Sequence, residues 1–434
     1  MVNLPKRLGA LRLGQLEFDL LSGLTIKGSG AVASVGLTLL ISRLYGPDGV
    51  GMFQIALTTS ALLAVAAAFG LDKVIVRSVS VAWHGQDFAS AKASITRALR
   101  ATLGVSLVMA IVMAATAYPL THLVMNQPQV FPAVLVMALT VPAIALIRVM
   151  CGAIRSIGRP YLAQALDGIA YTGLTVCGLV LVWLLVGNLP PLLPEVLYTL
   201  ACLAVALFGW QQLHRATRDW PMGTHALSLR SGARIAAIIV MGLVVEWLVV
   251  IALGGWKGPA EAGIFRVAAQ FGLLFTLVRN SFDQMVAPQI AAHHAAGDKA
   301  GLVRIMQRSY LIGAGIGLPL LGLLLLFPNL LLGLFGPEFQ RGAIALMILA
   351  AGQFVGVAAG PVGVVIDMAH REYVAMWIEC GIMLLSLVLL LLLVPALGMV
   401  GAAITIAGAT VVRSIALWIA ALWIMRAMPK ATAA

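Results

Sequence analysis

Apolar runs of about 20 residues or more recur along the whole chain, separated by short polar segments. Each run is long enough to cross a hydrocarbon core of about 30 Å as an α-helix. Alternation at the period of a β-strand is absent, which argues against a membrane barrel. The pattern predicts twelve membrane spans: Leu20–Leu44, Val50–Leu71, Ala101–Thr121, Val130–Met150, Tyr161–Val186, Glu195–Leu213, Ile235–Leu253, Ala262–Ile290, Tyr310–Leu334, Gly342–Ile366, Val374–Val394 and Val400–Met425.

The composition agrees with this pattern and excludes a soluble protein. Of 434 residues, 61% are hydrophobic and 10% charged, and the mean hydropathy is +1.02. The first span has no small-residue cleavage site after it, so we expect it to be kept as a membrane helix rather than removed as a signal peptide. The sequence therefore predicts an all-α polytopic membrane protein. The four cysteines lie in or beside apolar runs and are expected to be small buried hydrophobes: Cys151, Cys177, Cys202 and Cys380.

The basic residues are distributed unevenly between the two sides of the predicted bundle. Connections after odd-numbered spans hold only Lys257 and Arg341, with Arg43 at one rim, whereas the even connections and both tails hold nearly all the others. By the positive-inside rule, the even connections and both termini face the cytoplasm. The net charge of +12 is thus interpreted as membrane topology, and no nucleic-acid partner is expected.

One phrase occurs twice in the chain. The sequence GPDGVGMFQIA at residues 46–56 returns as GPAEAGIFRVA at residues 258–268, an offset of 212. At the same offset Lys92 matches Arg304 and Asp167 matches Glu379. Because each copy has six spans, both halves begin on the same side of the membrane. This predicts a pseudo-two-fold axis along the membrane normal and a site between the halves.

The repeat divides the chain into two predicted six-helix lobes. Residues 1–19 form a cytoplasmic tail, 20–213 the N-lobe, 214–234 a cytoplasmic linker, 235–425 the C-lobe and 426–434 a second cytoplasmic tail. Two longer cytoplasmic connections fall at equivalent places, Asp72–Arg100 and Ala291–Ser309. Both interleave apolar with basic residues, so we expect helices lying at the membrane surface.

Charged residues inside the predicted spans are the main functional candidates. Each costs about 2.5–3.5 kcal/mol at a helix centre unless it faces a partner or water. The cations are Lys27, Arg266, Arg279 and Arg413, and the anions are Asp167, Glu246, Asp283 and Glu379.

Several interpretations of these charges stay open. Arg279 and Asp283 lie four residues apart, so they either pair on one helix face or take part in coupling or gating. Asp167 and Glu379 lie near the cytoplasmic ends of equivalent spans, where they would anchor the neighbouring basic loop, gate the protein or couple it to an ion.

The remaining four charges belong to spans that would line a central cavity. In one interpretation Lys27 or Arg413 pairs with Glu246 across the interface. In the other, Lys27, Arg266 and Arg413 form a cationic cavity for an anionic group such as a phosphate, which the planar donor fork of arginine suits.

Motifs of enzymes are absent from the sequence. There is no phosphate-binding loop, no HExxH motif and no nucleophile elbow, and His293-His294 has no third metal ligand nearby. We therefore expect no enzymatic activity, no metal site and no cofactor.

Several segments resemble one known family. The run ISRLYGPDGVGMF at residues 41–53, with FGLD at 69–72, resembles the opening helical hairpin of bacterial O-antigen type polysaccharide flippases. These belong to the multidrug/oligosaccharidyl-lipid/polysaccharide (MOP) exporter superfamily. GPEF at 336–339 and LGMVGAA at 397–403 are similar to second-half connections of that family, and the resemblance extends from Leu20 to Met425.

The resemblance implies a V-shaped transporter of two six-helix lobes in the bacterial inner membrane. Such proteins move undecaprenyl-pyrophosphate-linked oligosaccharides to the outer leaflet for lipopolysaccharide or exopolysaccharide synthesis. The resemblance assigns Lys27, Arg266 and Arg413 to binding of the head group. It makes Asp167, Glu246 and Glu379 possible coupling carboxylates. It also implies a polymerase and a chain-length regulator as partners. Two alternatives remain: an ion-coupled multidrug or small-metabolite antiporter of similar architecture, and a scaffold whose charges merely pair.

Overall fold

The computed structural model describes residues 9–187, 189–223, 233–295, 298–368 and 372–427, with side chains from Ser29 onward except at 233–236, 281, 284, 288, 294–295, 367–368, 372 and 426–427. Within these ranges the chain is helical and contains no β-strand. The predicted all-α fold class is confirmed.

Two sets of helices correspond to the two copies of the repeat. The first half contains α1 (Gly9–Ala68), α2 (Leu71–His84), α3 (Phe88–Tyr118), α4 (Phe131–Met137), α5 (Thr140–Ser156), α6 (Pro160–Gln164), α7 (Ala170–Val186) and α8 (Leu193–Thr217). The second half contains α9 (Ala233–Trp256), α10 (Pro259–Gln270), α11 (Gly272–Ala295), α12 (Lys299–Leu326), α13 (Pro328–Gly333), α14 (Ala343–Ala358), α15 (Val362–Met368), α16 (Glu372–Leu397) and α17 (Met399–Ala427).

The described residues contain eleven helical segments that are long enough and apolar enough to cross a membrane. The first, Ser29–Ala68, is 40 residues long and is broken at Gly46, whose φ of 66° and ψ of −167° are not helical. Gly258, the repeat partner of Gly46, likewise has a positive φ of 95° just before α10. Glycine permits these angles because it has no Cβ. Divided at Gly46, the segments correspond to the twelve predicted spans.

The predicted surface helices are only partly correct. α2 follows the second predicted span, but α3 already begins at Phe88, and in the second half α11 runs to Ala295 while α12 begins at Lys299. Asp87 accepts a hydrogen bond from the Ser90 amide at 3.0 Å, and Asp298 accepts one from the Gly301 amide at 2.9 Å. Both aspartates cap a helix at equivalent places, so the basic segments continue the spans.

The two copies of the Gly-Pro phrase pack directly against each other. A Cβ on Gly51 would overlap the Pro259 carbonyl, and a Cβ on its repeat partner Gly263 would overlap the Pro47 carbonyl and the Gly51 amide. The absence of side chains thus lets α1 and α10 approach at backbone distance.

Further contacts between the halves extend from this crossing. The Arg43 Nε donates to the Leu334 carbonyl at 2.8 Å, and the Trp247 indole donates to the Thr59 hydroxyl at 2.9 Å. The largest buried apolar cluster draws residues from both halves, including Phe53 and Phe265. The halves are therefore held together mainly where α1 meets α9 and α10.

Candidate functional site

A polar cavity of about 170 Å³ lies between the two halves. Ser34 and Gln54 line it from α1, and the second half contributes charged and polar residues from α9, α10, α11 and α14: Glu246, Arg266, Gln270, Thr276 and Gln353. Leucine, isoleucine, alanine and glycine residues complete its walls. The cavity lies at the place where the repeat predicts a site.

The cavity is built from equivalent positions of the repeat. At the offset of 212, Ser34 matches Glu246, Gln54 matches Arg266 and Leu57 matches Ala269, and all six line the cavity. The pseudo-two-fold axis therefore passes close to the site. The chemistry is not symmetric, because a hydroxyl and a carboxamide on one side face a carboxylate and a guanidinium on the other.

Arg266 and Glu246 form an ion pair on the second-half side of the cavity. The Arg266 Nη1 lies 3.6 Å from the Glu246 Oε2, and the two side chains are 26% and 56% exposed. A pair this long and this open leaves both groups available for other partners. The described lining carries one charge of each sign, so it is neutral overall rather than cationic.

Three polar atoms around the cavity have no hydrogen-bond partner within the described part of the chain. They are the Gln54 Oε1, the Gln270 Oε1 and the Arg266 Nε. Gln270 does donate its amide hydrogen to the Ser34 hydroxyl at 3.3 Å, across the two halves. Buried polar atoms are rarely left unpaired, so these are suited to bind water or a polar ligand.

The structure separates two of the three cations predicted to bind the substrate. Arg266 lines the cavity, whereas Arg413 does not and forms an ion pair with Glu379, Nε to Oε1, at 2.9 Å between α17 and α16. The side chain of Lys27 lies outside the described residues. Glu246, which one of the two interpretations paired with Lys27 or Arg413, instead pairs with Arg266.

The Arg413–Glu379 pair is expected to stabilise the second half. Its side chains are 27% and 14% exposed, so removing one partner leaves a poorly solvated charge. Arg413→Leu or Glu379→Leu alone should lower the free energy of unfolding by about 2–4 kcal/mol, and the double substitution by clearly less than the sum. Denaturant unfolding of the four proteins measures this. Strict additivity would contradict the pair.

The other candidates lie outside the lining of the cavity. Asp167 is exposed and falls in the turn Ala165–Ile169 between α6 and α7, where its own φ and ψ (−85°, 74°) and those of Gly168 are not helical. Its repeat partner Glu379 is in the continuous helix α16. Arg279 and Asp283 both lie on α11, and their pairing and gating role stay predictions. No cluster of three metal-ligating side chains occurs among the described residues.

Sequence reasoning missed the neutral half of the site. A search for intramembrane charges passes over uncharged side chains such as Ser34, Gln270 and Gln353. Gln54 is also uncharged and is noticeable only because it aligns with Arg266 in the repeat. The repeat offset was the available signal, since it relates Ser34 to Glu246. Arg148 was also missed, although it lies inside the predicted span 130–150; it pairs with Asp72 at 3.2 Å in the first half.

Comparison with known proteins places the chain in a family. The model of a family described as polysaccharide biosynthesis protein matches residues 40–340. No curated protein matches the chain.

Solved structures share the fold along nearly the whole chain. An inward-facing multidrug resistance MATE family transporter of the MOP superfamily has a TM-score of 0.75 at 15% identity, over 95% of this chain and 100% of that one. A MOP superfamily transporter from Pyrococcus furiosus, described as having a binding pocket of reverse polarity, has a TM-score of 0.68 at 14% identity, over 94% and 95%. The MATE multidrug transporter DinF-BH in complex with rhodamine 6G has a TM-score of 0.67 at 18% identity, over 98% of each chain. The chain belongs to the polysaccharide biosynthesis protein family and has the fold of MOP superfamily transporters.

Proposed function

We propose that this protein is a flippase for an undecaprenyl-pyrophosphate-linked oligosaccharide in the bacterial inner membrane. The observation that carries the proposal is the cavity at the pseudo-two-fold axis, where a guanidinium, a carboxylate and three carboxamides converge. The polysaccharide biosynthesis family supports the substrate class. A polysaccharide polymerase and a chain-length regulator would act on the same glycan and are the expected partners.

The lining suits the two polar parts of such a substrate. Carboxamides donate and accept hydrogen bonds, as sugar hydroxyls require, and Arg266 supplies charged donors for a phosphate. Neither a sugar chain nor a diphosphate can enter hydrocarbon without losing hydrogen bonds to water. A polar cavity between two lobes carries the head group while the prenyl tail stays in the surrounding lipid.

The contacts between the halves support a direction of opening. By the positive-inside rule, the basic ends of α3 and α12 face the cytoplasm and the Gly-Pro crossing lies on the outer side. The halves are joined at the outer side, so substrate is taken up from the cytoplasmic leaflet. The volume of about 170 Å³ is smaller than the ~300–1,000 Å³ of common ligand sites. A whole head group is therefore accommodated only when the lobes move apart.

The second candidate is an ion-coupled antiporter of cationic drugs. Glu246 favours it, because its carboxylate is 56% exposed in the cavity and would attract a cation. The fold is also that of a transporter solved in complex with rhodamine 6G. In a flippase Arg266 would bind the substrate, whereas in an antiporter Glu246 would bind it.

Transport in proteoliposomes distinguishes the two functions. The purified full chain is reconstituted with an undecaprenyl-pyrophosphate-linked oligosaccharide or, separately, with rhodamine 6G and a pH gradient. Sugar reaching the outer leaflet is measured with a lectin that does not cross the membrane. The proposal predicts protein-dependent exposure of sugar and no gradient-driven movement of the dye.

Empty vesicles and vesicles with heat-unfolded protein give the background. Dye transport with no exposure of sugar would overturn the flippase and favour the antiporter. Neither activity, from protein shown to be folded by its unfolding transition, would favour the scaffold.

A further inference from the structure

A second cavity, of about 500 Å³, lies on the first half and shares no lining residue with the central site. It is a groove between α3, α5 and α8. Its residues on α3 run from Lys92 to Leu103, which is about 16 Å of helix at 1.5 Å per residue. The predicted spans enter the membrane at Ala101 on α3 and leave it at Leu213 on α8, so the groove crosses the cytoplasmic boundary of the hydrocarbon core.

The groove is mostly apolar, with its basic residues towards the cytoplasmic end. Leu103, Leu146 and Ala206 line the deep part, and Arg100 and His214 lie at the predicted membrane boundary, next to Ala101 and Leu213. Lys92 lies about two turns further along α3, towards the cytoplasm. No carboxylate occurs among its described lining residues. The apolar part of the groove is complementary to an acyl chain, and its cations are complementary to a phosphate.

The basic end is both ordered and accessible. Lys92 donates through its Nζ to the carbonyls of Trp220 at 2.7 Å and Arg218 at 3.2 Å, which fixes the segment after α8 against α3. Arg100 and His214 are exposed. Trp210 is 51% exposed and stacks on the His214 ring, with centroids 6.2 Å apart, and tryptophan is enriched at the depth of lipid head groups.

We infer that this groove binds one anionic phospholipid of the cytoplasmic leaflet, with an acyl chain between α3, α5 and α8 and its phosphate at Arg100 and His214. Phosphatidylglycerol has the required chemistry. The site is independent of the proposed transport function, since the groove and the central cavity are formed by different residues. Bound lipid would join α3 to α8 at the cytoplasmic end of the first half.

Native mass spectrometry of the purified full chain tests the site. The probes are palmitoyl-oleoyl phosphatidylglycerol and the zwitterionic phosphatidylcholine with the same chains. We expect one saturable phosphatidylglycerol per chain, bound more tightly than phosphatidylcholine. Arg100→Ala should weaken phosphatidylglycerol binding about fivefold, as expected for one surface cation facing an anionic lipid.

Matched variants separate this site from a general attraction to the basic surface. Arg97→Ala removes an exposed cation from the same helix outside the groove and should leave binding unchanged. Leu207→Trp should obstruct the groove and reduce binding, whereas Leu200→Trp, two turns earlier on α8, should not.

Three outcomes would overturn the inference. The first is equal binding of the two lipids, and the second is equal losses in Arg100→Ala and Arg97→Ala. The third is displacement of phosphatidylglycerol by equimolar undecaprenyl phosphate, which would assign the groove to the prenyl substrate. The unfolding midpoint of each variant confirms that it is folded before binding is compared.

Discussion

Replacing Arg266 by glutamine should reduce the rate of lipid-linked oligosaccharide transport by about 10-fold to 100-fold, because a hydrogen bond to a charged group contributes about 1.5–3 kcal/mol. The variant places the same side chain at both equivalent positions, since Gln54 is the partner of Arg266 in the repeat. It removes the cavity's described cation and keeps a hydrogen-bonding side chain. Initial rates in proteoliposomes measure the effect.

Glu246→Gln should act in the opposite direction on binding. It releases Arg266 from the 3.6 Å ion pair, so the affinity for a pyrophosphate head group should rise, while a cationic drug would lose its counter-charge. Arg341→Gln removes a cation outside the lining and serves as the control. Equal losses of oligosaccharide transport in Arg266→Gln and Arg341→Gln would contradict the assigned role, and so would normal transport in Arg266→Gln.

Substituting the glycines at the crossing should abolish transport and destabilise the protein. Gly51→Val and Gly263→Val each place a side chain where the structure has a backbone carbonyl of the other half, from Pro259 and Pro47 respectively. Overpacking at a site that can adjust costs about 1–3 kcal/mol, and backbone leaves little room to adjust. The midpoint of thermal unfolding and the transport rate should both fall.

The direction in which Gly51→Ala shifts the midpoint of thermal unfolding tests the close approach of the two halves. In an isolated helix, Gly→Ala stabilises by about 1 kcal/mol, so Gly51→Ala would raise the midpoint if the halves did not touch there. The close approach predicts a lower midpoint instead. Gly104→Ala on α3, where a Cβ meets open space, is the matched control and should be neutral or stabilising. Similar increases in both variants would refute the crossing.

The sequence predicted the architecture because two strong signals agree. Span length predicts the helices, and the repeat predicts an axis close to which Arg266 and Glu246 lie. Helix starts were harder to predict, because hydropathy marks where a span enters the membrane and not where the helix begins. The caps at Asp87 and Asp298 start α3 and α12 well before the apolar runs.

Partner choice within the site could not be predicted from the sequence. Spacing alone does not decide whether Glu246 faces Arg266, Lys27 or Arg413, because helix rotation and tilt are set by packing against neighbouring helices. Here α10 is drawn against α1 by Gly51 and Gly263, and Arg413 is turned towards Glu379 inside the second half. Among the described lining residues, the three expected cations are represented by Arg266 alone, which Glu246 balances beside three carboxamides.

The central claim is that the cavity between the halves receives the sugar-bearing head group. The most direct measurement places a photo-crosslinking amino acid at Gln353, in the lining, and illuminates the protein in vesicles with a labelled lipid-linked oligosaccharide. The same amino acid at the exposed Leu184 on α7 is the control. We predict an adduct through the oligosaccharide at position 353 that is lost in Arg266→Gln, and none through the sugar at position 184. A sugar adduct at 184 but not at 353 would contradict the proposed site.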